Sequence, residues 1–99
     1  HRAEERMVEL ARHEAHGPLE ERALNQAARE LLLAQSSDWA FIMKAGTMVD
    51  YAVRRTRSHL RRFLALHEQV RAHRIDEGLL RRLEYADNIF PGVDYRVYR

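Results

Sequence analysis

Cysteine is absent from the 99 residues, so disulfides, thiolate nucleophiles and cysteine-ligated zinc are all excluded. Stability must come from packing. Proline occurs twice and glycine four times, too rarely for a loop-rich or collagen-like chain, and no apolar run approaches the length of a membrane span. Lysine is confined to Lys44, the other basic residues being arginine. Neither charge sign dominates. Seventeen basic against fifteen acidic residues leave a formal charge of +2, which demands no polyanionic partner, although the pI near 9.4 leaves one open. The opening HRAEERMVEL has neither a signal core nor an initiator methionine, and suggests a piece of a longer polypeptide. A chain this short has room for one core, so residues 1–99 are read as a single domain.

What is present is helical periodicity. Ala3, Met7, Leu10 and Ala11 recur three or four apart among Glu and Arg, a narrow apolar stripe on a solvated helix. Gly17 and Pro18 break it, and Pro18 suits the first turn of a second helix, with Glu20 and Glu21 complementing its dipole. Leu19, Ala23, Leu24, Ala27, Ala28, Leu31 and Leu32 carry that helix to Gln35. Ser36, Ser37 and Asp38 then offer capping oxygens, which predicts a bend and a short helix ending at Gly46.

Thr47 and Asp50 match a capping box at the start of a long helix. Val49, Ala52, Val53, Thr56, Leu60, Phe63, Leu64, His67 and Val70 share an arc of roughly 120° and are its predicted core face, with an end near His73. Asp76 is the predicted N-cap of a last helix, with Ile75 and Leu80 as a hydrophobic staple. The tail NIFPGVDYRVYR has no strand to pair with and is expected to lie extended across the helices. The expected fold is all-α: a small bundle of four to five helices with an extended C-terminal tail.

Motifs that would name a chemistry are missing: no glycine-rich phosphate loop, no H-E-x-x-H, no G-x-S-x-G. Glu9, His13 and His16 would share one side of a helix, but two histidines on a polar helix are ordinarily solvated, so no metal ligand or cofactor is assigned. Arg54, Arg55, Arg57, Arg61 and Arg62 face away from the predicted core. Asp50 and Glu68 interrupt that face and Tyr51 is its only aromatic, so a solvated or partner-facing surface accounts for it better than nucleic acid. Gln35, Ser36, Ser37, Asp38 and Trp39 combine an indole with carboxylate, amide and hydroxyls. Such groups build sugar sites, and equally they cap a helix and fill a core. Glycosyl transfer needs two opposed carboxylates, and Asp38 has no evident partner.

Three stretches then stand out together: RELLLAQSSDWAFIMKAGTMVDYAVRRT, HLRRFLALHEQV and LEYADNIFPGVDYRVY. From about Leu19 to Tyr98 the chain resembles the C-terminal domain of 1,4-α-glucan branching enzymes of glycoside hydrolase family 57. The resemblance implies a retaining transferase that cleaves an α-1,4-glucan and joins the chain to a C6 hydroxyl as an α-1,6 branch. It places both catalytic carboxylates on an N-terminal barrel, with no catalytic residue in these 99. It gives Trp39 and Asp38, and with them Gln35 and Phe41, to one wall of the glucan cleft. The implied partners are an α-glucan and the barrel of the same enzyme, in the cytoplasm, without membrane or nucleic acid. A non-catalytic helical interaction domain is the alternative.

Overall fold

The structure is a computed structural model that describes residues 2–12, 15–43, 49–88 and 92–98; the side chains of residues 2, 37–43 and 49–52 lie outside that description. Four α-helices and a terminal 3-10 turn make up the described chain: α1 (Arg2–Ala11), α2 (Pro18–Met43), α3 (Val49–Arg71), α4 (Glu77–Ala86) and the turn Tyr95–Tyr98. At about 1.5 Å per residue α2 runs to roughly 39 Å, most of the 44 Å long axis of the molecule. It is the central post. The pairs Glu20 with His73 and Glu30 with His59 have nearly constant index sums, so α3 runs antiparallel to α2. The all-α expectation holds, and no strand occurs among the described residues.

Every member of the predicted α1 stripe is buried, as are Ala23, Leu24, Ala27, Ala28 and Leu31 of α2. The alanines let neighbouring helices approach closely, while Leu10, Leu24, Leu31, Phe63, Leu66 and Leu80 fill the space between. Each of these larger side chains contributes about 1.5–3 kcal/mol by leaving water.

Two expectations are corrected. The SSD sequence makes no bend: α2 continues unbroken through Ser36, Ser37 and Asp38 to Met43. In a helix interior Ser and Asp cost well under about 1 kcal/mol per residue relative to Ala, too little to end a helix embedded in a bundle. The core face of α3 is also rotated. His59, Phe63, Leu66 and Val70 are the buried positions, whereas Leu64 is 37% exposed, so the face turns by about 70° from the predicted arc. The predicted box residue Thr47 lies outside the described residues.

The end of α3 is closed by backbone bonds. The Arg74 N–H donates to the Gln69 carbonyl (2.9 Å) and the His73 N–H to the Val70 carbonyl (3.2 Å), the paired pattern of a Schellman cap. Its left-handed position is filled by His73 at φ 56°, where glycine ordinarily sits. His73→Gly is expected to stabilise the chain by about 0.5–1 kcal/mol, read as a higher urea midpoint. At the α1–α2 turn Gly17 has φ 128°, which a side chain would oppose. Asp76 caps α4 as predicted, its Oδ1 accepting from the Leu79 N–H at 3.0 Å.

The tail is tied down at its end. Tyr95 is fully buried, its N–H donates to Asn25 Oδ1 (2.9 Å) and its hydroxyl accepts from the Ala15 N–H (3.3 Å). Residues 95–98 coil into one 3-10 turn against α1 and α2.

Candidate functional site

The most concentrated chemistry in the described chain is a buried polar knot that joins three helices. Gln26 and Glu30 stand one turn apart on α2, His59 and Arg62 come from α3, and Asp87 is the C-cap of α4. His59 Nδ1 lies 2.8 Å from Glu30 Oε1 and 3.7 Å from Asp87 Oδ2, and Arg62 donates to Asp87 Oδ2 at 2.5 Å. The Gln26 amide donates to Glu30 Oε2 (3.0 Å) and is shared with two carbonyls at the end of α4, those of Leu83 and Asp87 (3.2 Å each); the Leu83 carbonyl also accepts from the Asp87 N–H (2.8 Å).

Burial sets the protonation. Glu30 is completely enclosed, and desolvation, helped by a hydrogen bond to Asp87, pushes its carboxyl up to about 8. Burial also drives Asp87 up, but hydrogen bonds from Glu30 and Arg62 outweigh it and leave Asp87 below its ordinary value. Burial lowers His59. Near neutral pH the arrangement is therefore a neutral imidazole, a protonated Glu30 and an ionised Asp87 held by Arg62. The ligating atoms of Glu30, His59 and Asp87 lie within 4.8 Å of one another. A glycosidase pair would have to face a sugar, and an enclosed Glu30 cannot. This knot holds helices together.

Gln26, Glu30, His59 and Asp87 escaped the sequence reading. Their signal was present: Gln26 and Glu30 lie among the apolar positions of α2, and His59 is one turn before Phe63. A polar residue on a core face calls for a buried partner, although which partner cannot be read from one helix.

The predicted sugar-binding residues all fall on the last turns of α2. Helix register places Gln35, Asp38 and Trp39 at i, i+3 and i+4, on one side, with Phe41 further round. The side chains of Asp38, Trp39 and Phe41 lie outside the described residues. Gln35 is exposed and its Oε1 accepts from the Tyr98 hydroxyl at 3.2 Å, so the terminal turn reaches the start of this segment. Burial pushes the Tyr98 hydroxyl up to about 12, with Glu4 adding to the shift, and it stays a donor over the physiological range.

The arginine face of α3 is divided. Arg62 holds Asp87 and Arg55 approaches His59 Nε2 at 3.5 Å, while Arg54, Arg57 and Arg61 are exposed. Of the Glu9–His13–His16 set, α1 ends at Ala11 and Glu9 pairs with Arg71, while His13 lies outside the described residues.

The sequence profile of the family described as 1,4-alpha-glucan branching enzyme, C-terminal, matches residues 1–98. The chain belongs to that family. The match takes in α1, which carries little of the resemblance seen in the sequence. A 1,4-alpha-glucan branching enzyme of Thermococcus kodakarensis is 42% identical over 98 residues, covering 94% of this chain and 14% of that enzyme. The crystal structure of the α-amylase AmyC from Thermotoga maritima superposes with a TM-score of 0.87 at 51% identity, covering 99% of this chain and 19% of that one. The chain thus spans less than a fifth of either relative, and family membership here concerns a helical C-terminal domain. No helix among the described residues is long and apolar enough to cross a membrane.

Proposed function

We propose that this chain is the C-terminal domain of a retaining 1,4-α-glucan branching enzyme of glycoside hydrolase family 57, acting in cytoplasmic glycogen synthesis. The observation that carries the reading is the family match over residues 1–98, supported by 42% identity to a branching enzyme. In this reading a catalytic barrel outside these residues supplies the glutamate nucleophile and the aspartate acid/base. The helical bundle packs on that barrel and lends the end of α2 to one wall of the cleft. Trp39 stacks on a glucose ring, and Asp38 and Gln35 accept bonds from its hydroxyls, with Phe41 beside them. Covering the covalent glycosyl intermediate favours the C6 hydroxyl of an acceptor over water. The polar knot 26–30–59–87 suits this role, because a wall must keep its shape while glucan moves past it.

The likeness to AmyC favours one second reading, in which the parent hydrolyses α-glucan. Proton NMR of amylose incubated with the parent enzyme separates the two. Growth of the α-1,6 anomeric signal with little free reducing sugar is expected; reducing ends alone would replace branching by hydrolysis. In the same assay Trp39→Ala is expected to lower the transfer-to-hydrolysis ratio about two- to tenfold, since one aromatic contact is worth about 0.5–1.5 kcal/mol. An unchanged ratio and unchanged branch length would remove Trp39 from the site.

A further inference from the structure

A pocket of about 340 Å³ opens between the α1–α2 turn and the capped end of α3, lined by Leu10, Leu24 and Val70 below and by His16, Glu20 and His73 above. We propose that it binds a divalent transition-metal ion of the zinc type, with Glu20, His73 and His16 as ligands.

Three observations converge on it. Glu20 is 9% exposed, yet its carboxylate accepts no side-chain hydrogen bond from a described residue; its nearest cationic group is His73 Nδ1 at 3.9 Å. That spacing is too long for a hydrogen bond and somewhat longer than the roughly 3.4 Å between two ligands of one tetrahedral zinc, a gap that a rotation of the exposed His73 side chain closes. The N-terminus of α2 favours a negative charge there, and the Glu20 side chain, 11% exposed, keeps a small opening to the pocket. His73 is held in the left-handed conformation at a cap where glycine is preferred. The backbone tolerates a strained residue here, as it does where a side chain serves a purpose. His16 lies edge-on to it, the ring centroids 5.9 Å apart. Two imidazoles on one tetrahedral zinc, with Zn–N of about 2.1 Å, have centroids about 5 Å apart, so small rotations of two exposed side chains close the set.

The electrostatics agree. Arg71, the cation at the rim, is paired with Glu9, so the Glu20 carboxylate is the uncompensated charge facing the pocket. Two nitrogens and one carboxylate oxygen suit Zn²⁺, Co²⁺ or Ni²⁺ and reject Mg²⁺ and Ca²⁺, which want oxygen. The closer set formed by Glu30, His59 and Asp87 is a poorer candidate, because a proton and Arg62 already satisfy it. A metal at Glu20 would clamp the α1–α2 turn to the end of α3.

The test is titration of the metal-stripped chain with Zn²⁺ and Co²⁺, followed by calorimetry, Co²⁺ visible absorption and thermal unfolding. One ion should bind per chain at micromolar concentration, with a low-symmetry Co²⁺ spectrum, a raised Tm and no competition from excess Mg²⁺. Glu20→Gln and His73→Gly should each weaken binding by at least about tenfold. His73→Gly makes a clean control, since glycine suits the cap and removes only the imidazole. Failure to saturate below millimolar metal, or a variant that binds as tightly as the unsubstituted chain, would overturn the proposal.

Discussion

Glu30→Ala is expected to destabilise the chain by about 3–5 kcal/mol, whereas Glu30→Gln should cost less than about 1 kcal/mol. The alanine variant leaves a hole at a fully enclosed position and strips partners from His59, Gln26 and Asp87 at once. Glutamine keeps the shape, accepts from His59 and donates to Asp87 as the protonated carboxyl does; it gives up the bond accepted from Gln26, whose amide still has the Leu83 and Asp87 carbonyls. The contrast is informative because a carboxylate that had to be ionised would be damaged by both changes. Urea unfolding at pH 6.5 measures it; a Gln variant as damaged as the Ala variant would mean that Glu30 is charged in the folded chain.

The pH dependence has a definite sign. Glu30 is raised from 4.5 to about 8 on folding, so between those values the folded chain binds more protons than the unfolded one. Stability from this group is complete below about 4.5 and is lost as pH rises through 8. His59, lowered from 6.5, acts oppositely below 6.5, and Asp87, lowered from 3.8, contributes stability that is lost only in acid. Between pH 6.5 and 8 the Glu30 effect therefore stands alone. One proton corresponds to at most about 1.4 kcal/mol per pH unit, or about 2 kcal/mol over that window. The decline should be present in the parent sequence and absent in Glu30→Gln.

The second large effect concerns the tail. Tyr95→Ala is expected to cost about 3–5 kcal/mol, much of the 5–15 kcal/mol that a domain commonly has. Its ring is buried against α1 and α2, and the Arg96 guanidinium covers one face at 4.6 Å from the centroid. Tyr95→Phe keeps the ring and loses the bond from the Ala15 N–H, a change of about 1 kcal/mol. In the alanine variant the 3-10 turn should detach and the Tyr98–Gln35 bond with it. Amide hydrogen exchange would show this as lost protection at Val97 and Arg96, whose N–H groups are held by Asp94. Retained protection there would mean that the turn is held from elsewhere.

Much of the fold was legible residue by residue. The α1 stripe, the break at Gly17 and Pro18, the Asp76 cap and the buried Leu80 and Leu83 all follow from period and capping chemistry, which act over a few residues. The family was legible too, because LLAQSSDWAFI and DNIFPGVDYRVY are long motifs. Reading Ser36, Ser37 and Asp38 as a helix end failed for a physical reason: inside a helix these residues cost only fractions of a kcal/mol each, and packing along a 26-residue helix outweighs that. The core face of α3 was misplaced because apolarity was scored without His59, which counts as a core residue only once Glu30 meets it.

The sequence by itself determined where helices begin, which stripes are apolar, and to which family the chain belongs. Only the tertiary structure decided that Glu30 keeps its proton. Burial is the main cause and Asp87, 57 positions along the chain, the second, because a carboxyl acid strength depends on how completely the fold excludes water and on what it places beside the group. The meeting of His16, Glu20 and His73 has the same origin, since antiparallel packing of α2 and α3 brings the start of one helix to the end of the other.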